Sequence, residues 1–106
     1  MKLVMPNGYA VYLHDSPAQA LFQQEVRVGS HGCVRVADAT SLATALLSTR
    51  PEGWSGAETE RRVASGRTQS IPLANPIPVY IGYFTAEPAG DGTIRYFDDI
   101  YDRDRP

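Results

Sequence analysis

The sequence contains a single cysteine, Cys33, so no disulfide can form within the chain and the cellular compartment cannot be inferred from bridges. It also lacks any apolar run near the roughly 18 residues needed to cross a bilayer. Its first residues run directly into Pro6-Asn7-Gly8, which predicts that no signal peptide opens this chain. Ten basic residues against twelve acidic ones give a net charge of -2, and the basic residues are scattered. This pattern provides no electrostatic basis for binding nucleic acid.

The length of 106 residues and the ordinary apolar content predict one small globular domain over residues 1–106. A domain of this size can bury a single core, although it lies toward the small end of the range that folds stably.

Three segments have the character of strands or of turns between them. Residues 9–14 follow a Pro-Asn-Gly turn and are rich in β-forming residues, which predicts a strand. Residues 78–85 carry the strongest strand signal, since β-branched and aromatic residues run almost without interruption. Residues 90–92 predict a turn, after which residues 93–97 form the returning strand of a hairpin.

Two segments predict short helices. Asp38 can cap a helix over residues 39–48. The apolar face of that helix is predicted to consist of Leu42, Ala43, Ala45 and Leu46. The capping-box pattern that starts at Ser55 predicts a second helix through Ala64, with Gly66 as its C-cap. The predicted fold is therefore mainly β with two short helices, in a sheet-based or sandwich arrangement.

The most unusual stretch surrounds the cysteine and reads Ser30-His31-Gly32-Cys33-Val34-Arg35. A glycine between His and Cys makes the backbone flexible, and the N–H groups of such a turn can form a concavity that binds an oxyanion. A cysteine nucleophile also needs a proton acceptor and a polar or positive environment. The two histidines of the chain, His14 and His31, lie within twenty residues of Cys33, and Arg35 adds positive charge. These features indicate a Cys–His acyl-transfer site.

Other interpretations fit the same residues. A lone cysteine between apolar residues is often a packing residue. His14 could be a surface residue at a strand end, and Arg35 could be an exposed strand residue. Two histidines and a cysteine could also bind zinc together with a water, although the usual close-paired ligand spacing is absent. The residue pattern alone leaves these alternatives open.

The pattern resembles the L,D-transpeptidase catalytic family, the YkuD-type domain. The family signature is a His, a spacer of about fifteen residues, then Ser/Thr-His-Gly-Cys, an apolar residue, and Asn or Arg. Here His14 precedes the stretch from Ser30 to Arg35, and every fixed position is filled. Residues 6–17 and 76–81 also resemble segments of the larger periplasmic members, so that the resemblance extends from about Val4 to Asp104.

The family domain normally has several strands before the segment that opens here. The resemblance therefore implies an L,D-transpeptidase-like β-sandwich or mixed sheet, present as a partial catalytic domain without its N-terminal strands. Those strands would form one side of the sheet, part of the substrate cleft and any export signal. A wall-associated remnant without catalytic activity consequently stays open as an alternative.

The resemblance implies roles for the reacting groups. Cys33 corresponds to the nucleophile and His14 to the general base, whose imidazole is oriented by the backbone carbonyl of Asp15. His31 is expected to act through loop order and substrate polarity, because a tight glycine loop leaves its side chain poorly placed as a base.

The resemblance also implies roles for the loop that leads to Cys33. Ser30 and Gly32 belong to the loop, and the N–H groups of Gly32 and Cys33, together with His31, are the expected oxyanion hole. Arg35 is expected to hold the loop or to meet a carboxylate of the substrate.

The implied reaction is peptidoglycan cross-linking between diaminopimelate residues through a thioester, with a tetrapeptide stem as donor and a diaminopimelate amine as acceptor. With water as acceptor, the same site would be an L,D-carboxypeptidase. The resemblance implies a periplasmic or cell-envelope location, covalent inhibition by β-lactams of the carbapenem class, and no metal or organic cofactor.

Overall fold

The computed structural model describes residues 1–106, and the chain forms two compact units, Met1–Pro76 and Ile77–Pro106. Its elements, in order, are β1 (Lys2–Leu3), β2 (Leu13–His14), a 3₁₀ turn (Gln19–Gln23), β3 (Val34–Arg35), α1 (Ala39–Leu47), α2 (Gly56–Ala64), β4 (Ala86–Pro88) and β5 (Ile94–Tyr96). The predicted class, with two short helices and strands in mixed sheets, is confirmed, although each strand has only two or three residues.

The first unit contains a three-stranded sheet with β2 at its centre. β1 pairs with β2 in the antiparallel direction, whereas β2 pairs with β3 in the parallel direction. A parallel pair needs a crossover connection. Here residues 15–33 provide this connection. Its last part, residues 29–33, is called the cysteine loop below.

The strand predicted over residues 9–14 is wrong for its first four residues. The side-chain oxygen of Asn7 accepts hydrogen bonds from the N–H groups of Tyr9 and Val11, at 3.0 and 3.1 Å. Its amide nitrogen donates to the Val11 carbonyl at 2.7 Å, and Ala10 has a φ of 55°. An asparagine side chain can replace ladder partners in this way, so the chain turns before it reaches β2.

Both helices begin where the sequence predicts. The Asp38 carboxylate accepts from the Ser41 N–H at 3.0 Å, and the Ser55 hydroxyl accepts from the Glu58 N–H at 3.2 Å. Each cap satisfies one N–H group that the first helical turn leaves without a partner. Gly66 follows α2 with a φ of +66°, a conformation that glycine adopts without steric cost.

The core lies on α1 and is small. Its buried apolar side chains are Ala39, Ala43 and Leu47, spaced by one helical turn each. The prediction that Ala45 belongs to the apolar face is wrong, since Ala45 is exposed, while Leu42 and Leu46 are half-buried. The buried side chains are thus rotated about the helix axis relative to the predicted apolar face. On this side α1 contacts α2 through Thr44, whose hydroxyl donates to that of the buried Thr59 at 2.9 Å.

The second unit is a hairpin. β4 and β5 pair antiparallel, with Glu87 opposite Arg95, so the predicted returning strand and its turn are confirmed. The strand predicted over residues 78–85 is wrong. No N–H or carbonyl of residues 77–84 takes part in a backbone hydrogen bond. Pro76 and Pro78 lack donors, and no strand of this unit pairs with the run, so β-propensity alone does not make it a strand.

Candidate active site

The parallel pairing of β2 with β3 brings the cysteine and the first histidine to one face of the sheet. The Val34 N–H donates to the Tyr12 carbonyl at 3.1 Å, and His14 is in register with Arg35. Cys33 directly precedes β3. Side chains alternate along extended backbone, and registered partners share a face. Cys33 therefore lies on the same face as His14, although the two residues are far apart in sequence.

An open cavity of about 420 Å³ forms over this face. Its walls include both histidines, the cysteine and residues of the loop, namely Tyr12, His14, Ser30, His31, Cys33 and Arg35. Cys33 is a half-buried free thiol. The cavity thus brings together a candidate nucleophile and candidate bases at an open surface of the protein.

The imidazole of His14 is held by the backbone. Its Nδ1 lies 2.5 Å from the carbonyl oxygen of Asp15. A carbonyl can only accept, so in neutral His14 the proton is on Nδ1 and Nε2 is free to accept a proton. The carboxylate of Asp15 is engaged elsewhere, in an ion pair with the amino group of Met1 at 2.9 Å. Asp15 therefore contacts the His14 imidazole through its main chain and not through its carboxylate.

Tyr12 packs against His14, and it is not among the residues that the sequence pattern indicated. Its ring meets the His14 ring edge to face, with 5.8 Å between centroids and 60° between planes. The ammonium of Lys2 lies 5.1 Å from the centroid of the Tyr12 ring. Because Tyr12 precedes His14 by two residues, strand alternation was the signal that could have identified it.

The conformation of the loop before Cys33 depends on Ser30 and Gly32. The Ser30 hydroxyl donates to the Cys33 carbonyl at 2.6 Å and accepts from the Gly32 N–H at 2.9 Å. Gly32 has a φ of +136°, and a Cβ there would lie 3.2 Å from a methyl of Val11. The backbone conformation and the close approach together favour glycine at this position.

Arg35 forms a second closure of the same loop. Its Nη1 donates to the Gly29 carbonyl at 2.9 Å, so the guanidinium ties the start of the loop to β3. Of the two roles expected for Arg35, this contact corresponds to holding the loop.

His31 lies at the rim of the cavity. Its side chain is exposed and forms no hydrogen bond within the chain, in contrast to the fixed imidazole of His14. An imidazole without a fixing partner is not held in one tautomer or direction. The geometry therefore distinguishes the two histidines.

A second cavity, of about 940 Å³, also reaches Tyr12 and His14. Its remaining walls come from the first residues of the chain, from the two helices and the turn between them, and from residues 66–73; they include Leu3, Leu46, Trp54 and Val63. Within it, the Arg62 guanidinium stacks 4.4 Å from the centre of the Trp54 ring. The two cavities therefore share Tyr12 and His14 in their walls.

Nowhere do three or more His, Cys, Asp or Glu side chains come together as possible ligands of a metal ion. Neither helix has the length and apolar character required to cross a membrane.

Two comparisons with known proteins bear on these residues. The model of the L,D-transpeptidase catalytic domain family, YkuD, matches residues 1–81, which include β2, the cysteine loop and both helices. A protein of Haemophilus influenzae that is provisionally named an L,D-transpeptidase is 39% identical over 104 residues, or 98% of this chain. The chain spans 21% of the length of that protein.

Proposed function

The chain belongs to the L,D-transpeptidase catalytic domain family, and from this premise we propose that it carries the acyl-transfer centre of a peptidoglycan cross-linking enzyme with Cys33 as nucleophile. The observation that carries the proposal is that a half-buried thiol and a fixed imidazole line the same cavity. Cys33 and His14 line one cavity, and the Asp15 carbonyl holds Nδ1 of His14 so that Nε2 is available. This is the nucleophile–base–orienter arrangement of cysteine and serine acyl transferases.

In the first half-reaction, the thiol proton of Cys33 passes to Nε2 of His14, and the thiolate attacks the carbonyl at the L-centre of diaminopimelate in a tetrapeptide stem. The carbonyl oxygen becomes an oxyanion, which backbone N–H groups of the loop stabilise. The tetrahedral intermediate collapses, the carbon–nitrogen bond breaks, and the imidazolium of His14 returns its proton to the amine of the departing D-alanine. A thioester on Cys33 remains.

In the second half-reaction, an amine of a second diaminopimelate attacks the thioester carbonyl and gives a proton to His14. The carbon–sulfur bond then breaks, a new peptide bond remains, and His14 returns the proton to the sulfur of Cys33. The two cavities that meet at Tyr12 and His14 support a two-substrate reaction, since donor and acceptor need separate approaches to one carbonyl. With water as acceptor, the same steps yield an L,D-carboxypeptidase.

This function places the protein at the cell wall, in the periplasm or cell envelope, because its substrate is there. Carbapenems are the expected covalent inhibitors, since their strained carbonyl accepts the same thiolate. The chemistry requires no cofactor, because the nucleophile, the base and the oxyanion donors all come from the chain.

The test is incubation of the chain with a disaccharide–tetrapeptide and analysis of the products by mass spectrometry. Release of D-alanine with formation of a cross-linked dimer supports the transpeptidase, and release of D-alanine with only a tripeptide product supports the carboxypeptidase. Cys33→Ser is the control and is expected to release no D-alanine. Absence of D-alanine release from the unaltered chain would favour the non-catalytic remnant.

A further inference from the structure

The Ser30 hydroxyl occupies a position that controls which amides of the cysteine loop are free. It accepts from the Gly32 N–H at 2.9 Å and donates to the Cys33 carbonyl at 2.6 Å. Both bonds lie within four residues of the chain. A donor that is already bonded is not available to a substrate, so the Gly32 N–H is withdrawn from any anion that binds beside the thiol.

The amide of Cys33 is in the opposite situation. Its N–H group has no acceptor within the chain, and neither has that of His31. The peptide unit after Cys33 is held on both sides, because its carbonyl accepts from Ser30 and the next N–H, that of Val34, donates to the Tyr12 carbonyl at 3.1 Å. The Cys33 N–H lies between two groups that are both bonded to Ser30, the Gly32 N–H before it and the Cys33 carbonyl after it. The nucleophile therefore carries an unpaired donor on a backbone that is tied on both sides.

A fixed N–H donor stabilises an oxyanion more than a mobile donor does, because the donor need not reorient when the charge develops. The oxyanion of a thioester-forming reaction is bonded to the carbon that the Cys33 sulfur attacks. The Cys33 N–H belongs to the same residue as that sulfur, so the donor and the nucleophile are positioned by one stretch of backbone.

We propose that Ser30 is a positioning residue for acyl transfer: its hydroxyl ties down the Gly32 N–H and the Cys33 carbonyl, and thereby presents the Cys33 N–H as the fixed oxyanion donor. The proposal rests on the proposed function of Cys33. It narrows the donor set expected from the sequence, in which the Gly32 N–H was included. Ser30 acts on the backbone and not on the thiol, which His14 deprotonates.

The first test separates the effect of Ser30 on the backbone from the deprotonation of the thiol by His14. Ser30→Ala is expected to lower the rate of carbapenem acylation by about 10- to 100-fold, somewhat less than the loss of a complete oxyanion donor. Ser30→Thr keeps the hydroxyl and should restore most of the rate. Alkylation of Cys33 by iodoacetamide, followed across pH, should be unchanged in Ser30→Ala, because it needs the thiolate but develops no oxyanion. Ser48→Ala is the matched control, since Ser48 is also exposed and donates to a backbone carbonyl, that of Ala45, at 2.7 Å.

A second measurement reads the same hydrogen bonds without any activity. In NMR spectra, the Gly32 amide should show the weak temperature dependence of a bonded N–H, and the Cys33 amide the strong dependence of a free one. In Ser30→Ala, the Gly32 amide should change to the free behaviour, and in Ser30→Thr it should not.

The outcomes separate the two proposals. Unchanged acylation in Ser30→Ala, an equal loss of alkylation and acylation, or a Gly32 amide that is free in the unaltered chain would each overturn the role of Ser30. If the unaltered chain is alkylated at Cys33 but never acylated, the proposed function fails, and the amide measurement still decides whether Ser30 holds the loop as described.

Discussion

Replacement of His14 tests whether the fixed histidine is the base. In the structure, only this imidazole has one nitrogen bonded to a backbone carbonyl, at 2.5 Å from Asp15, and one side packed against the Tyr12 ring. His14→Ala removes the proton acceptor and leaves the loop contacts of Ser30 and Arg35 in place. Loss of a general base typically lowers the rate by about 10²- to 10⁴-fold. This loss corresponds to about 3–5 kcal/mol of activation free energy, at about 1.4 kcal/mol for each factor of ten.

The assay is the rate of thiol alkylation across pH together with the rate of carbapenem acylation near neutral pH. His14→Ala should be alkylated more slowly near neutral pH, because no side chain is then held in place to accept the thiol proton. His14→Asn is the matched variant, because its amide can still donate to the Asp15 carbonyl but cannot accept the proton. It should be as slow as His14→Ala.

His31→Ala is the second comparison. It should retain most of the thiolate and show a smaller loss of acylation, because its side chain has no fixing contact. A reactive thiolate that survives in His14→Ala and disappears in His31→Ala would reverse the two roles and refute the reasoning.

Two further predictions concern the fold. The Asp38 carboxylate caps α1, and its hydrogen bonds with Ser41 hold the pKa of Asp38 below its usual value. The ionised cap therefore stabilises the fold at pH above the unfolded-state pKa of Asp38, and this contribution is lost as pH falls through the lower folded-state pKa. In Asp38→Asn, the melting temperature should lose that part of its decrease in acid. An identical pH dependence of the melting temperature in both proteins would contradict this role of Asp38. The apolar run of residues 77–84, whose backbone forms no hydrogen bond, includes Tyr80, which is 91% exposed, and should cause self-association. Light scattering should show less association in Ile81→Lys than in the control Val4→Lys, whereas a monodisperse unaltered chain would show that the run is harmless.

The helices were predictable because their signals are local. The side chains of Asp38 and Ser55 lie three residues from the N–H groups that they cap, so sequence spacing alone specifies the contact. The extent of the α1 core was less predictable, because the buried stripe depends on where α2 packs, through Thr44 and Thr59.

The strands were harder to predict because pairing depends on distant residues. Residues 9–12 have strand-forming side chains, but the Asn7 side chain takes the hydrogen bonds that a ladder would use. Residues 78–85 have high β-propensity and no strand partner. In both cases the composition describes a preference, and the available partners decide the structure.

The family followed from the spacing of a few residues, whereas the geometry of the site did not. The pattern of His14 followed by Ser30 to Arg35 indicated the family and the candidate groups. The edge contact of Tyr12 and the capture of the Gly32 N–H by Ser30 depend on the register of β2 with β3 and on the loop conformation. Neither feature is encoded in spacing alone.

The most direct measurement of the central claim is the intact mass of the chain after exposure to a carbapenem. The account predicts a mass increase of one β-lactam on the unaltered chain and no increase on Cys33→Ser, because a serine hydroxyl beside a neutral histidine is a far weaker nucleophile than a thiolate. Digestion of the adduct should place the added mass on the peptide that contains Cys33. An adduct of equal yield on Cys33→Ser, or no adduct on a folded unaltered chain, would contradict the assignment of Cys33 as an acyl-transfer nucleophile.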